Sequence, residues 1–302
     1  MKSHSLFVLL FGLCSLKTTQ AQEPTRFHLD LNRPPPQAGD ESERTIQIFS
    51  TICSTNLTRG QESVTNSFHF LELKGREKIL NWDASNDWSK VEMAVDDFVD
   101  GDGQHTNELV KPGTQLIGTS ILGESFFQSD GGTVPADVYR QLEMSYNIRP
   151  HSFDEFARTR IPPLVSAGES WVIPPPTNTD QLAGVFGTSF ANHVRAVAQF
   201  VGTTNLFGFD CFHLQFRITS DDYPEALRKI ITARLPVTLK GRAGLTMDLI
   251  VPFDESQRIL SKHYFWDFSS SSDMVVDGTN ALSSRGRTTL DILSESRPVM
   301  HQ

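Results

Sequence analysis

Histidines and carboxylates are the side chains best suited to chemistry near neutral pH, and their spacing decides what they can do. Nine His are scattered along the chain without an H-x-H or H-x-x-x-H pair. No two are therefore placed by local geometry as zinc ligands. His213 and His263 lie in separate alternating segments and are candidates to meet across a sheet; the alternative is a pair of ordinary strand-surface residues. Asp96-Asp97 and Asp221-Asp222 are adjacent acids, and neighbours on a strand point to opposite faces. They read as charged strand ends, not as a catalytic dyad. Asp97 to Glu108 has the length of a calcium loop, but Val99 stands where an oxygen ligand is required and Asp102 where a glycine is required. A solvated turn is the better reading. No metal and no cofactor is expected.

Gly187-Thr188-Ser189-Phe190-Ala191-Asn192-His193-Val194 resembles the nucleophile segment of subtilisin-type proteases. The match lacks the family's proline, and His193 comes one residue early. A serine nucleophile also needs a base and an orienting carboxylate, and neither of the family's other two motifs is present. The segment reads as a Gly/Ser turn entering a strand. No G-x-S-x-G elbow, P-loop or G-x-G-x-x-G fingerprint occurs. No catalytic residue is assigned.

Cysteine usage depends on compartment. Met1–His4 is a short basic start, Leu6–Leu16 is mostly apolar, and Thr19-Gln20-Ala21 offers small residues for cleavage. This is the layout of a signal peptide, residues 1–21, removed after Ala21. The apolar run is too short to span about 30 Å of hydrocarbon. A secreted or periplasmic protein without an integral membrane segment follows as the expectation. Cys14 leaves with the signal, so Cys53 and Cys211 remain. In an oxidising compartment they are a disulfide candidate, with two buried free thiols as the alternative. Asn56-Leu57-Thr58 is a glycosylation sequon, meaningful in a eukaryotic source.

These residues need elements to hold them. Residues 22–42, with Pro24, Pro34, Pro35, Pro36 and Gly39, read as a flexible lead-in. From Arg44 apolar and polar residues alternate with period two, the mark of half-buried strands. Ile46 and Ile48, Phe68 and Phe70, and Val91, Met93 and Val95 begin the series. Asp100-Gly101-Asp102-Gly103 reads as a hairpin turn, and strands follow over 115–122 and 124–128. Val138, Leu142 and Tyr146 stand at helical spacing, and short helices are also expected near Phe153–Ala157 and Asp180–Phe186. Residues 134–190 are therefore read as a mainly helical insertion.

Strands then resume through Val194–Phe200 and Phe212–Ile218. Lys240–Gly244 reads as a hairpin loop between Leu235–Leu239 and Leu245–Val251. Leu260–Phe268 is an aromatic strand, Ser269–Ser272 a serine-rich link, and Met274–Val276 and Thr288–Leu293 close the domain. The expected fold is α+β, mainly β: a large curved antiparallel sheet, a half-barrel, covered by a central helical block. One domain over 43–294 and a tail over 295–302 complete the organisation.

Gly168-Glu169-Ser170-Trp171, then a strand at Val194–Val201, then Gly208-Phe209-Asp210-Cys211 leading into Phe212–Ile218, then Leu245–Asp248 and Ser261–Phe268, form a recognisable order. It resembles uncharacterised secreted bacterial proteins similar to LolA-like lipoprotein-carrier half-barrels, over residues 165–270. The resemblance implies a curved sheet with helices in its mouth and an acyl-chain or other apolar ligand. It transfers no site residue.

Composition narrows the function. The chain of 302 residues has a net charge of −9. Removing residues 1–21 takes away Lys2 and Lys17 and no acid, so the mature charge is −11. That excess argues against nucleic acid or an anionic membrane surface as partner. There are 21 Phe against 4 Tyr and 4 Trp, so the aromatic surface is mostly without a polar handle. The leading expectation is a noncatalytic secreted protein binding a hydrophobic, lipid-like molecule, with Phe212, Leu214, Phe216, Tyr264, Trp266 and Phe268 as candidate lining. An envelope interaction module without ligand and a hydrolase with dispersed active-site residues are the alternatives.

Overall fold

The computed structural model describes residues 25–31, 33–58, 61–130, 132–146, 148, 161–173, 194–220, 237–276 and 279–299. The described residues include fifteen strands and one helix. They are β1 (Arg26–His28), β2 (Glu41–Thr58), β3 (Gln61–Asp83), β4 (Trp88–Gly101), β5 (Thr106–Glu108), β6 (Gln115–Ile121), β7 (Glu124–Ser129), β8 (Gly132–Thr133), α1 (Ala136–Ser145), β9 (Leu164–Ser166), β10 (Ser170–Ile173), β11 (Val194–Leu206), β12 (Phe209–Ser220), β13 (Val237–Pro252), β14 (Ser261–Val276) and β15 (Thr279–Pro298).

Thirteen strands form one antiparallel sheet in the order β10-β11-β12-β13-β14-β15-β2-β3-β4-β6-β7-β8, with β5 on β4; β1 and β9 pair separately. Among the described residues its edge strands β10 and β8 do not pair with each other, so the sheet is open there. Most sheet neighbours are consecutive in the chain, with β6 beside β4 past the short β5. The long-range pairing is β15 with β2, which joins the two ends of the chain at the centre and runs from Leu282↔Thr58 to Pro298↔Ser42.

The register carries one apolar face across the sheet. Ala198, Phe216, Met247, Tyr264, Ile292, Ile48 and Leu71 are successive partners on seven strands. Side chains alternate along each strand, so this row defines an inner face. Two cores lie on it. The first gathers Phe200, Phe212, Leu214, Phe216, Leu245, Met247 and Leu249, capped by Leu29, Leu31 and Val165. The second gathers Ile46, Leu71, Leu73, Met93, Phe98 and Leu116 under Val138, Leu142 and Tyr146 of the α1 region. The period-three-to-four spacing of those last residues puts them on one side of the helix.

Several sequence expectations are corrected. The cover over 134–190 is not a helical block among the described residues: α1 is the single helix, and β9 and β10 fall inside the same interval. The helices expected at 153–157 and 180–186, and the segment 187–193, lie outside the described residues. Lys240–Gly244 does not turn. It runs inside β13, because Gly241 and Ala243 keep the alternation in phase with Leu245 and β14 pairs throughout. Ser269–Ser272 is no link either; it pairs with Arg287–Ser284 within β14 and β15. Strand pairing uses backbone groups, so a polar side-chain run does not prevent it.

The described part of the lead-in is packed, not loose. Arg26–His28 pair with Ser166–Leu164, Leu29 and Leu31 are buried, and the Arg33 guanidinium donates to the carbonyls of Pro252 and Asp254 at 2.7 and 3.2 Å. Residues 295–298 of the expected tail are strand, paired with β2. The Cys53–Cys211 disulfide is not formed; both thiols are free. Cys53 is on β2 and Cys211 on β12, with three strands between them. At about 4.8 Å per strand step that separation is far beyond the ~7 Å Cα limit for a bridge.

Candidate functional site

The six candidate lining residues share the inner face and one cluster, but in two different states. Phe212, Leu214 and Phe216 on β12 are closed core positions. Tyr264, Trp266 and Phe268 on β14 are only half-buried against that core. Trp266 and Phe268 stack with ring centroids 5.8 Å apart and planes 9° apart. Leu290 and Ile292 of β15 continue the same rows as Trp266 and Tyr264 and are likewise half-buried, now against the second core. The central strands thus present a seam of large apolar side chains between two tightly packed flanks. The physical reason lies in the topology: β14 and β15 form the middle of a wide sheet, and among the described residues α1 and the β1/β9 pair pack on the flanks.

At one end of the inner face the apolar rows give way to polar groups. Ser42 and Arg44 are in phase with Ile46 and Ile48, and Glu77 is in phase with Leu71 and Leu73. Glu77 stands opposite Ser42 and Gly75 opposite Arg44. The Tyr146 hydroxyl, just past α1, donates to Glu77 Oε2 at 2.6 Å. Burial, and then the Glu77 charge, hold the Tyr146 phenol well above its ordinary pKa; the charges of Arg44 and Arg258 pull it the other way. Ser42 Oγ and Arg44 Nε are buried with no hydrogen-bond partner among the described residues. The β13–β14 loop adjoins this end: Ser296 N donates to Leu260 O at 2.8 Å, and Ser296 is the β15 partner of Arg44.

His213 and His263 do come together, on the opposite, outer face. His213 Nε2 lies 2.8 Å from Asp248 Oδ1, which also accepts from Gln215 Nε2 at 3.1 Å. His263 Nδ1 is 3.9 Å from Asp248 Oδ2, and its Nε2 is 2.6 Å from Asp291 Oδ1. Asp248 is the registered partner of both Gln215 and His263, so the pairing sets this His–Asp–His–Asp chain. It can hold both imidazoles in a fixed orientation. Among the described residues no hydroxyl or thiol completes a nucleophile–base pair with it, and no group of three or more His, Cys, Asp or Glu is fit to hold a metal. Of the expected turn at Asp100–Gly103, Asp102 begins the reversal, its Oδ1 accepting from the Gln104 and His105 amides at 2.9 and 2.8 Å, whereas Asp100 and Gly101 still belong to β4, where Asp100 is the partner of Asn107 on β5.

Sequence reasoning missed the polar end of the inner face. Its signal was present: Arg44 and Glu77 are charged residues standing in the apolar phase of strands β2 and β3. It also missed Asp248 and Asp291, which only the strand register brings between the histidines.

No protein-family model matches the chain, and no curated protein does. Among solved structures it is similar to a DUF1329 family protein from Desulfovibrio piger, at 11% identity over 85% of this chain and 87% of that one, with a TM-score of 0.18. It is similar to the outer membrane protein OprG of Pseudomonas aeruginosa at 8% identity over 89% of this chain and 100% of that one, TM-score 0.15. Ail of Yersinia pestis, in complex with the heparin analogue sucrose octasulfate, gives 8% identity over 84% and 99%, TM-score 0.14. At such TM-scores these likenesses carry no argument about what the chain does. No helix among the described residues is long and apolar enough to cross a membrane.

Proposed function

We propose that this is an exported, noncatalytic protein that binds a hydrophobic, lipid-like molecule along the inner face of its open sheet. The half-buried seam of Tyr264, Trp266, Phe268, Leu290 and Ile292 carries the reading. Side chains this large are normally driven to full burial, each contributing roughly 1.5–3 kcal/mol when it is complete. Here they lie between two cores that reach it. A concave, mostly apolar site with few polar groups suits a hydrophobic ligand. The signal-peptide layout of residues 1–21 supports export.

A neutral fluorescent probe such as N-phenyl-1-naphthylamine tests the site directly. Saturable binding is expected, weakened about tenfold in Trp266→Ala, a difference of about 1.4 kcal/mol. Absence of saturable binding, together with no apolar compound in a solvent extract of the purified protein, rejects the reading.

A second reading, an envelope interaction module, is favoured by a different surface. Phe49, Leu57, Val64 and Phe68 are exposed on the outer face of the β2–β3 hairpin, and Phe49 and Phe68 stack with centroids 6.4 Å apart.

A further inference from the structure

The polar end of the inner face is unusual for a buried sheet surface. Ser42 is 1% exposed, yet its hydroxyl has no partner among the described residues, and the same holds for Arg44 Nε. A buried polar group left unpaired costs about 1–3 kcal/mol, so such groups in a native protein call for an acceptor. Among the described residues, the charges that bear on Tyr146 are the guanidiniums of Arg44 and Arg258 and the Glu77 carboxylate, whose Oε2 already accepts from Tyr146. Within that set, two cations and one anion leave a single positive charge. The unpaired atoms are both able to donate. What complements them is a monoanion with strong acceptor oxygens, and guanidinium groups are matched to carboxylates by their planar fork of donors.

The same strand phase connects this end to the apolar seam. Ser42 and Arg44 lie on one face with Ile46 and Ile48, and Ile48 is the cross-strand partner of Ile292, itself the partner of Tyr264. We propose that Ser42, Arg44 and Arg258 form a head-group subsite for the carboxylate of a long-chain fatty acid whose chain lies along the inner face towards Tyr264 and Trp266. This rests on the hydrophobic-ligand reading and specifies the ligand class. Ser42 Oγ and the guanidiniums donate to the carboxylate oxygens. Glu77, held by Tyr146, keeps the net charge of the site at a value that one carboxylate neutralises. The β13–β14 loop, tied to β15 through Leu260 O, supplies Arg258 at this end, and the chain runs from there along the inner face.

The test compares two ligands of equal chain length, hexadecanoate and hexadecan-1-ol, by displacement of N-phenyl-1-naphthylamine from the mature protein. Hexadecanoate is expected to displace the probe at least about tenfold more effectively. Arg44→Gln is expected to reduce that preference to within about twofold, chiefly by weakening displacement by the acid. Arg258→Gln, in a loop, is expected to reduce it in part and serves if Arg44→Gln fails to fold, as judged by its thermal transition. Equal displacement by acid and alcohol in the wild type overturns the head-group subsite and leaves the hydrophobic-ligand reading standing. A preference for the acid that survives both variants also overturns it. Probe binding that never occurs overturns both.

Discussion

Tyr146 and Glu77 join parts of the chain 69 positions apart by one hydrogen bond. The phenol is buried, and its partner is 6% exposed. Removing the hydroxyl leaves a buried carboxylate oxygen short of its donor, which costs more than the bond's net value because the desolvation of the carboxylate is no longer offset. Tyr146→Phe is expected to lower the unfolding free energy by about 1–3 kcal/mol, read from the urea midpoint with the slope unchanged. An unaltered midpoint would show that this pair contributes nothing to stability. The residue's role was half visible beforehand. Its spacing after Val138 and Leu142 announced the helix face, but its polar partner sits on a strand whose register no local pattern reveals.

The β3–β4 hairpin shows how one element is fixed by a few side-chain atoms. Asp83 accepts from the Ser85 amide and hydroxyl at 3.0 and 2.6 Å and from the Asn86 amide and side chain at 3.2 and 2.6 Å. The Ser85 and Asn86 side-chain bonds, with the backbone bonds behind them, lower the Asp83 pKa from 3.8 to about 2. A depressed folded-state value means stability that is present above the unfolded value and lost as pH falls through the folded one. The wild-type protein is therefore expected to lose part of its thermal stability between about pH 4 and pH 2, and Asp83→Ala to flatten that part of the profile. Identical acid profiles for the two proteins would contradict this role.

Elements were legible where alternation was clean. Phe212–Ile218 and Val91–Val95 each lie inside a strand. They were misread where composition suggested a turn without requiring one, as at Lys240–Gly244 and Ser269–Ser272. Neighbouring strands on both sides decide those stretches, and neighbours are not encoded locally.

On the scale of the whole molecule, the strand order sets what can meet. Pairing of β15 with β2 closes the chain's two halves into one sheet and places three strands between Cys53 and Cys211. Cys53 is exposed, whereas Cys211 is buried and burial raises its thiol pKa. Thiolate is the reactive form. Titration of the unreduced mature protein with a thiol reagent is expected to report one reactive thiol in the native state and two after denaturation, with the same thermal midpoint before and after reductant. No thiol under denaturing conditions, or a lower midpoint on reduction, would establish a disulfide instead.

The sequence by itself determined the mainly β class, the α1 face, the position of many strands and the acidic, Phe-rich composition. These follow from period-two and helical spacing and from counting, which are local or additive properties. It also carried Arg44 and Glu77 in apolar phase, but without a partner that observation had no content. Only the tertiary structure decided that Phe212, Leu214 and Phe216 are core while Tyr264, Trp266 and Phe268 are half-buried, that His213 and His263 meet through Asp248 on the other face, and that Ser42, Arg44, Glu77 and Tyr146 share one end of the sheet. Those relations depend on strand order and register, which are set by contacts between segments far apart in the chain.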